Sequence, residues 1–270
     1  MNQGRVLEAF RLEAEELSRA VAGLSEAEWD LPTRCAPWSV RELLGHVRVV
    51  IAWLPAMLDA PAPGTAEVSA VEYYRPDDRF APQTNTARIA LARDHASGQA
   101  DGAALAEDFA ETWRRVERLC RAEPADRVVR TRHGDLMLLS QFLVTRVVEV
   151  AVHGLDLAEG LGREPWLTPR AADLVLELLL GPDPSAATRA LGWDRLTLLR
   201  KATGREPLDP AWSAGSGQGF VGTGCRACAG RDDVSVGGSD VDLPGEGGPV
   251  AGATGRRERG SDAGRAVPDA

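Results

Sequence analysis

No run of roughly 18 consecutive apolar residues occurs in the chain, so no membrane-spanning helix and no membrane partner are expected. The N-terminal stretch lacks the apolar centre of a signal peptide and reads as an amphipathic helix, which points to a cytoplasmic protein. Basic blocks with interleaved aromatics are missing as well: 31 Lys and Arg stand against 40 Asp and Glu, a formal charge of -9, which favours solubility and argues against a nucleic-acid surface. Cysteine is scarce. Cys35 and Cys120 lie far apart, and Cys225 and Cys228 form a CRAC pair with no second pair to complete a four-thiolate site, so all four are expected as reduced thiols.

What is present is helical. With 270 residues and 44% hydrophobic content the chain can build a real core. Val6, Leu7, Phe10, Ala14, Leu17 and Val21 mark a first amphipathic helix. Residues 25–37, with Trp29, Pro32 and Pro37, read as a loop pinned by its tryptophan. Ser39 and Glu42 form a capping box with Trp38 as part of a hydrophobic staple, opening a second helix over 40–58 that Pro55 should kink. Residues 65–100 hold Tyr73, Tyr74 and a short helix over 86–95; so long a connection either crosses the bundle end or covers a site. A third helix is expected over 101–120, then a short extended piece within 126–134. Asp135 is read as the cap of a fourth helix ending at Gly160. Thr168 and Pro169 open a further helix to Gly181, and another is expected over 193–203, ended by Gly204.

The composition changes after about Trp212. Residues 214–270 carry more than half of the 28 glycines and no hydrophobic period. The reading is therefore an all-α domain over 1–212, four long helices plus a short helical appendix, followed by a Gly-rich tail over 213–270 that is expected to be disordered. Glycine strings in the tail have no strand before them and no helix after them, so a dinucleotide or phosphate loop fails its context.

The chemistry concentrates in the fourth helix. Leu138, Phe142, Thr145, Glu149, His153 and Asp156 recur at intervals of three and four, so a carboxylate and an imidazole sit on a stripe that should face the core. Glu149 and His153 are one turn apart, a spacing at which both can approach one metal ion, and His46, midway along the second helix, is the natural third ligand. Such a set leaves an open position for water or substrate, as a catalytic zinc needs. A plain Glu149–His153 hydrogen bond or an Arg146–Glu149 ion pair would satisfy the same positions. Trp53, Tyr73, Tyr74 and Trp113 are candidates to line a pocket and equally readable as packing.

These residues also carry a resemblance. The stretch from Trp38 and Ser39 through Leu43, Leu44 and His46 resembles the first signature of the DinB-like family, in its mycothiol-dependent maleylpyruvate isomerase amino-terminal branch. Residues 145–158 resemble the second signature of that branch, and 202–208, with Gly204 and Arg205, its closing segment. The resemblance spans roughly residues 5–212. It implies a DinB-like four-helix bundle with a long crossover and a divalent metal, most often Zn2+, held by His46, Glu149 and His153, with water or thiolate in the fourth place. Mycothiol is the implied cosubstrate: its thiolate adds to a small electrophile, giving S-transfer or cis-trans isomerisation. Asp156 and Arg146 are candidate supports of the site, and Arg205 and Trp53 candidate contacts to the cosubstrate. The isomerase also carries a C-terminal α/β domain that supplies an arginine, and the tail here shows none of the alternation such a domain requires, which favours a broader thiol transferase. Metal-assisted hydrolysis without thiol, and a non-enzymatic metal-binding stress or interaction protein, are the alternatives. The chain is expected to be a monomer or homodimer.

Overall fold

The computed structural model describes residues 2–207 except Pro76; the Gly-rich stretch 213–270, with Cys225 and Cys228, lies outside the described residues. The chain opens with α1 (Gln3–Val21), capped by the Asn2 side chain, and a short α2 (Glu26–Trp29) inside the expected loop, whose Trp29 is fully buried. The second helix begins where the capping box placed it, with Ser39 accepting from the Glu42 amide and Glu42 accepting from the Ser39 amide.

That helix does not run on to residue 58 as a kinked rod. It is α3 (Val40–Ile51) followed, after Ala52, by a separate α4 (Trp53–Asp59). Pro55 carries no amide hydrogen and its ring would collide with the carbonyl four residues back, at Ile51, which is where α3 stops. The connection that follows holds α5 (Ala70–Tyr73), a 3-10 turn over Asp78–Phe80, and α6 (Pro82–Ser97), longer than the sequence suggested at both ends.

Next come α7 (Gly102–Ala122) and a two-stranded antiparallel hairpin, β1 (Val128–Arg130) and β2 (Leu136–Leu138), in register Val129 to Met137. The hairpin corrects the reading of Asp135 as a helix cap. Asp135 closes the hairpin turn instead, accepting from the Thr131 hydroxyl and pairing with Arg79, and α8 (Leu139–Gly160) starts after β2. The Leu136 carbonyl also accepts the amides of Glu67 and Val68, tying the start of the crossover to the hairpin. The appendix is α9 (Pro169–Leu180), capped by Thr168, α10 (Pro184–Leu191), which sequence periodicity did not single out, and α11 (Arg195–Ala202).

Four of these helices form the bundle. α1 packs on α7 and α8, and α3 closes the ring on the same two. The crossover from α3 to α7 returns along the outside of α3, where Gly45 lets α6 approach closely: a Cβ there would lie 2.9 Å from the Ala92 carbonyl oxygen. α9 covers α1 and α8 from the other side, and α11 rests on α9. As a result α8 has neighbours nearly all round, and its polar residues Thr145, Arg146, His153 and Asp156 are buried along with its aliphatic ones. Among the described residues, no helix is long and apolar enough to cross a membrane.

Candidate metal centre

A buried polar residue on a central helix has to be partnered, since an isolated charge in the core costs far more than the fold can supply. α8 and α3 cross so that the sequence-selected polar residues partner one another. The Nε2 atoms of His46 and His153 lie 3.2 and 3.3 Å from the same Glu149 oxygen, Oε2, and the two imidazole rings meet edge to face at 5.2 Å. One donor atom from each residue lies within 4.8 Å of the others. His46 and His153 are buried, whereas the Glu149 side chain keeps 16% exposure, toward a pocket.

The protonation states suit a divalent cation. Burial pushes the His46 imidazole down to about 4 against the pull of Glu149, so it is neutral with a lone pair to give. Burial alone would raise the Glu149 carboxyl, but the imidazoles of His153 and His46 beside its Oε2 outweigh it and hold it well below the usual carboxylate range. Two imidazoles and one carboxylate converging from two rigid helices make a donor set that zinc-like ions accept, with a side left open. The site is thus able to hold a divalent metal.

Behind His153 stands a second carboxylate. Its Nδ1 lies 3.0 Å from Asp156 Oδ2, so His153 spans two acids, with Nε2 toward Glu149 and Nδ1 toward Asp156. Arg205 grips both Asp156 oxygens, Nε at 3.0 Å and a terminal nitrogen at 2.7 Å, and the Cys35 thiol donates to Oδ2 at 3.1 Å. Cys35, His153 and Asp156 therefore also lie close enough to share an ion. Here the donor set fails: the guanidinium fork already takes both carboxylate oxygens and Arg34 Nε lies 3.8 Å away, so a cation would meet two positive charges. His153 and Arg205 hold the Asp156 carboxyl well below its usual range in spite of burial.

Trp38 completes the inner wall by stacking on His46, ring centroids 4.7 Å apart. On the open side a narrow cleft, whose enclosed water-sized space is about 40 Å³, is lined by Glu149, Val152, Trp53, Tyr73, Tyr74, His133 and the basic residues Arg79, Arg88 and Arg146. The long crossover does cover a site. Arg79 is held there by Asp77 and Asp135 and lies over the Tyr73 ring at 4.8 Å.

Several side chains fall elsewhere than the sequence suggested. Trp113 lies away from the cleft, donating to Ser18 between α7 and α1. Arg146 makes no ion pair with Glu149; it donates to the Val50 carbonyl at 2.9 Å and to the Thr145 hydroxyl, and its guanidinium lies 4.6 Å from the Phe142 ring centre. Val50 is in the last turn of α3, where the break before Pro55 leaves carbonyls in need of donors. Arg205 lies behind the site on Asp156 rather than in the cleft, so its fork is not offered to a cosubstrate there. Cys35 and Arg34 were not selected, since nothing in a loop's composition tells which helix it will touch. Arg79 and Arg88 had a usable signal: they are basic residues inside the connection expected to cover a site.

Comparison with known proteins bears on the same elements. Residues 10–158, which contain His46, Glu149, His153 and Asp156, match the family described as the mycothiol maleylpyruvate isomerase N-terminal domain. Among solved structures, a crystal structure of the mycothiol-dependent maleylpyruvate isomerase aligns at 19% identity with a TM-score of 0.46, covering 66% of this chain and 68% of that one. A histidine-to-alanine mutant of that isomerase aligns at 17% identity with a TM-score of 0.48, covering 66% and 70%. No curated protein matches the chain. Because the matched stretch runs from the second turn of α1 through nearly all of α8 and takes in more than half of the sequence, the chain belongs to the mycothiol maleylpyruvate isomerase N-terminal domain family.

Proposed function

We propose that this protein is a metal-dependent enzyme that uses a low-molecular-weight thiol, mycothiol, for S-transfer to a small electrophile or for its isomerisation. Family membership and the His46, Glu149 and His153 cluster support a metal-assisted enzymatic role. The observation that carries the finer reading is the convergence of three donors in a cleft otherwise lined by aromatic, aliphatic and basic side chains.

His46, Glu149 and His153 would be the ligands. A divalent ion held there, zinc in our reading, would lower the pKa of a thiol and keep its sulfur as thiolate at neutral pH. The protein's own residues supply the remainder. Neutral imidazoles and a single carboxylate leave a bound dication with net positive charge, which favours an incoming anion. Arg79, Arg88 and Arg146 add to that field along the cleft wall, and Trp53, Tyr73 and Tyr74 keep water from the sulfur and lower the local dielectric. Domain limits of 1–212, a cytoplasmic location and action on a small electrophile belong to the same proposal.

The first link is tested by metal analysis of the purified protein beside His46→Ala: one equivalent in the wild type and a large loss in the variant are expected, and a metal-free wild type that takes up no zinc would sink the reading. The second is tested by incubating mycothiol with monochlorobimane. Acceleration by the wild type, lost in His46→Ala, is expected; a rate unchanged by protein counts against thiol transfer.

A further inference from the structure

The segment after α11 lies outside the family match, yet it reaches the metal centre. Thr203 and Gly204 turn the chain back, Gly204 with a φ of 71°, and this turn presents Arg205 to α8. The Arg205 side chain is 5% exposed and the Asp156 side chain 0%, so their two parallel hydrogen bonds are made out of water. Arg34, from the loop between α2 and α3, donates to the carbonyls of Arg205 and Gly204 and holds the turn in place.

Asp156 is thereby fixed with Oδ2 3.0 Å from His153 Nδ1. A neutral imidazole has one N–H. When Nδ1 carries it and donates to Asp156, the Nε2 lone pair faces Glu149 and His46, which is the orientation a metal ligand needs. A carboxylate in this place both selects the tautomer and makes the imidazole a better donor.

We propose that Arg205 is a positioning residue of the metal centre: by clamping both oxygens of Asp156 it aims that carboxylate at His153 Nδ1, keeps the Nε2 lone pair turned toward His46 and Glu149, and so sets metal affinity from outside the four-helix bundle. The inference rests on the metal reading above. It adds a residue that contributes no ligand atom, and it makes the closing segment part of the site.

Zinc affinity measured by chelator competition is the test. Arg205→Gln and the isosteric Asp156→Asn are expected to raise the zinc Kd by about 10–100-fold. Arg205→Lys, which keeps the charge but not the two-pronged grip, should fall between them and the wild type. Lys201→Ala is the control, since Lys201 ties the same segment through Glu206 and the Pro207 carbonyl without touching Asp156; its Kd should stay within about twofold. An Arg205 that merely docks the segment would change the melting temperature of the metal-free protein and leave the zinc Kd alone. A readout in the wild type needs no variant. By reciprocity, zinc should slow amide hydrogen exchange at residues 203–206 several-fold. Wild-type zinc binding with an unchanged Kd in Arg205→Gln, or unchanged exchange at 203–206, overturns this inference and leaves the metal reading standing. A wild type that binds no zinc removes both.

Discussion

The indole of Trp38 lies on the imidazole of His46, ring centroids 4.7 Å apart and planes 22° from parallel. Trp38 is the residue before the α3 cap and is 2% exposed, so the ring that closes the helix entrance also fixes the orientation of a proposed ligand two turns on. Trp38→Leu is expected to destabilise the fold by about 2–4 kcal/mol, from lost burial plus residual cavity. It should also weaken zinc binding, because His46 gains rotational freedom. Trp38→Phe keeps an aromatic face and should retain most of both. Chemical denaturation and chelator competition on the two variants check the order.

Two glycines make unequal predictions. A Cβ at Gly102 would lie 2.0 Å from Nε1 of the fully buried Trp29, which has no room to move. Gly102→Ala should cost more than about 3 kcal/mol, beyond ordinary overpacking. At Gly45 the nearest atoms are the Ala92 carbonyl oxygen at 2.9 Å and the Ala96 Cβ at 3.2 Å, and the helix gains about 1 kcal/mol from alanine. Gly45→Ala should therefore be the milder change, on the order of 1–2 kcal/mol net. Equal melting temperatures for the two variants would contradict the ranking.

Glu13, which is not part of the metal-ligand cluster, gives the fold a pH dependence of its own. It is fully buried on α1, and its Oε2 accepts from the amide and hydroxyl of Thr168, the cap of α9. Burial pushes its carboxyl up to about 7, with the Thr168 bonds opposing and Glu16 adding to the rise. A pKa higher in the folded than in the unfolded state means that the folded form holds the proton more tightly. The stability linked to this group is complete below about pH 4.5, falls as pH rises from there through about 7, and is lost above, a change on the order of 3 kcal/mol. Glu13→Gln should flatten that slope. Urea melts of both proteins between pH 5 and 8, run with chelator present, measure it; parallel curves would refute the assignment.

Arg146 is bound to a backbone break. Its bond to the Val50 carbonyl satisfies the end of α3, so Arg146→Met should leave a buried acceptor unpaired and cost about 1–3 kcal/mol. Arg146→Lys, able to make one bond from a shorter reach, should recover part. The comparison requires only denaturation curves, and a variant as stable as the wild type would show that the bond contributes nothing.

The parts of the molecule written in local pattern were readable in advance. Ser39 with Glu42 starts α3, Thr168 with Pro169 starts α9, and the i to i+4 spacing sets Glu149 and His153 side by side, all consequences of chemistry within a few residues. What was not readable depends on partners distant in sequence. Asp135 has a cap's chemistry, but the pairing of β2 with β1 uses the next three residues, so the helix begins later. Trp38 reads as a staple from sequence, and only the crossing of α3 and α8 shows that it also stacks beside the proposed ligands. Arg205 is 49 residues from Asp156, and its burial against that carboxylate follows from how α9 packs on α8 and α11 on α9.

The Leu136 carbonyl holds Glu67 and Val68 at one end of the crossover, and Asp135 holds Arg79 further along. The wall that carries Tyr73, Tyr74 and Arg79 is thus fastened twice to the hairpin from which α8 begins, and α6 beyond it is seated against Gly45. Such a wall is a socket rather than a swinging flap. A ligand entering it meets a shape that is already set, so little of its affinity is lost to ordering the chain, and selectivity falls to the fixed spacing between the guanidinium groups and the three donors.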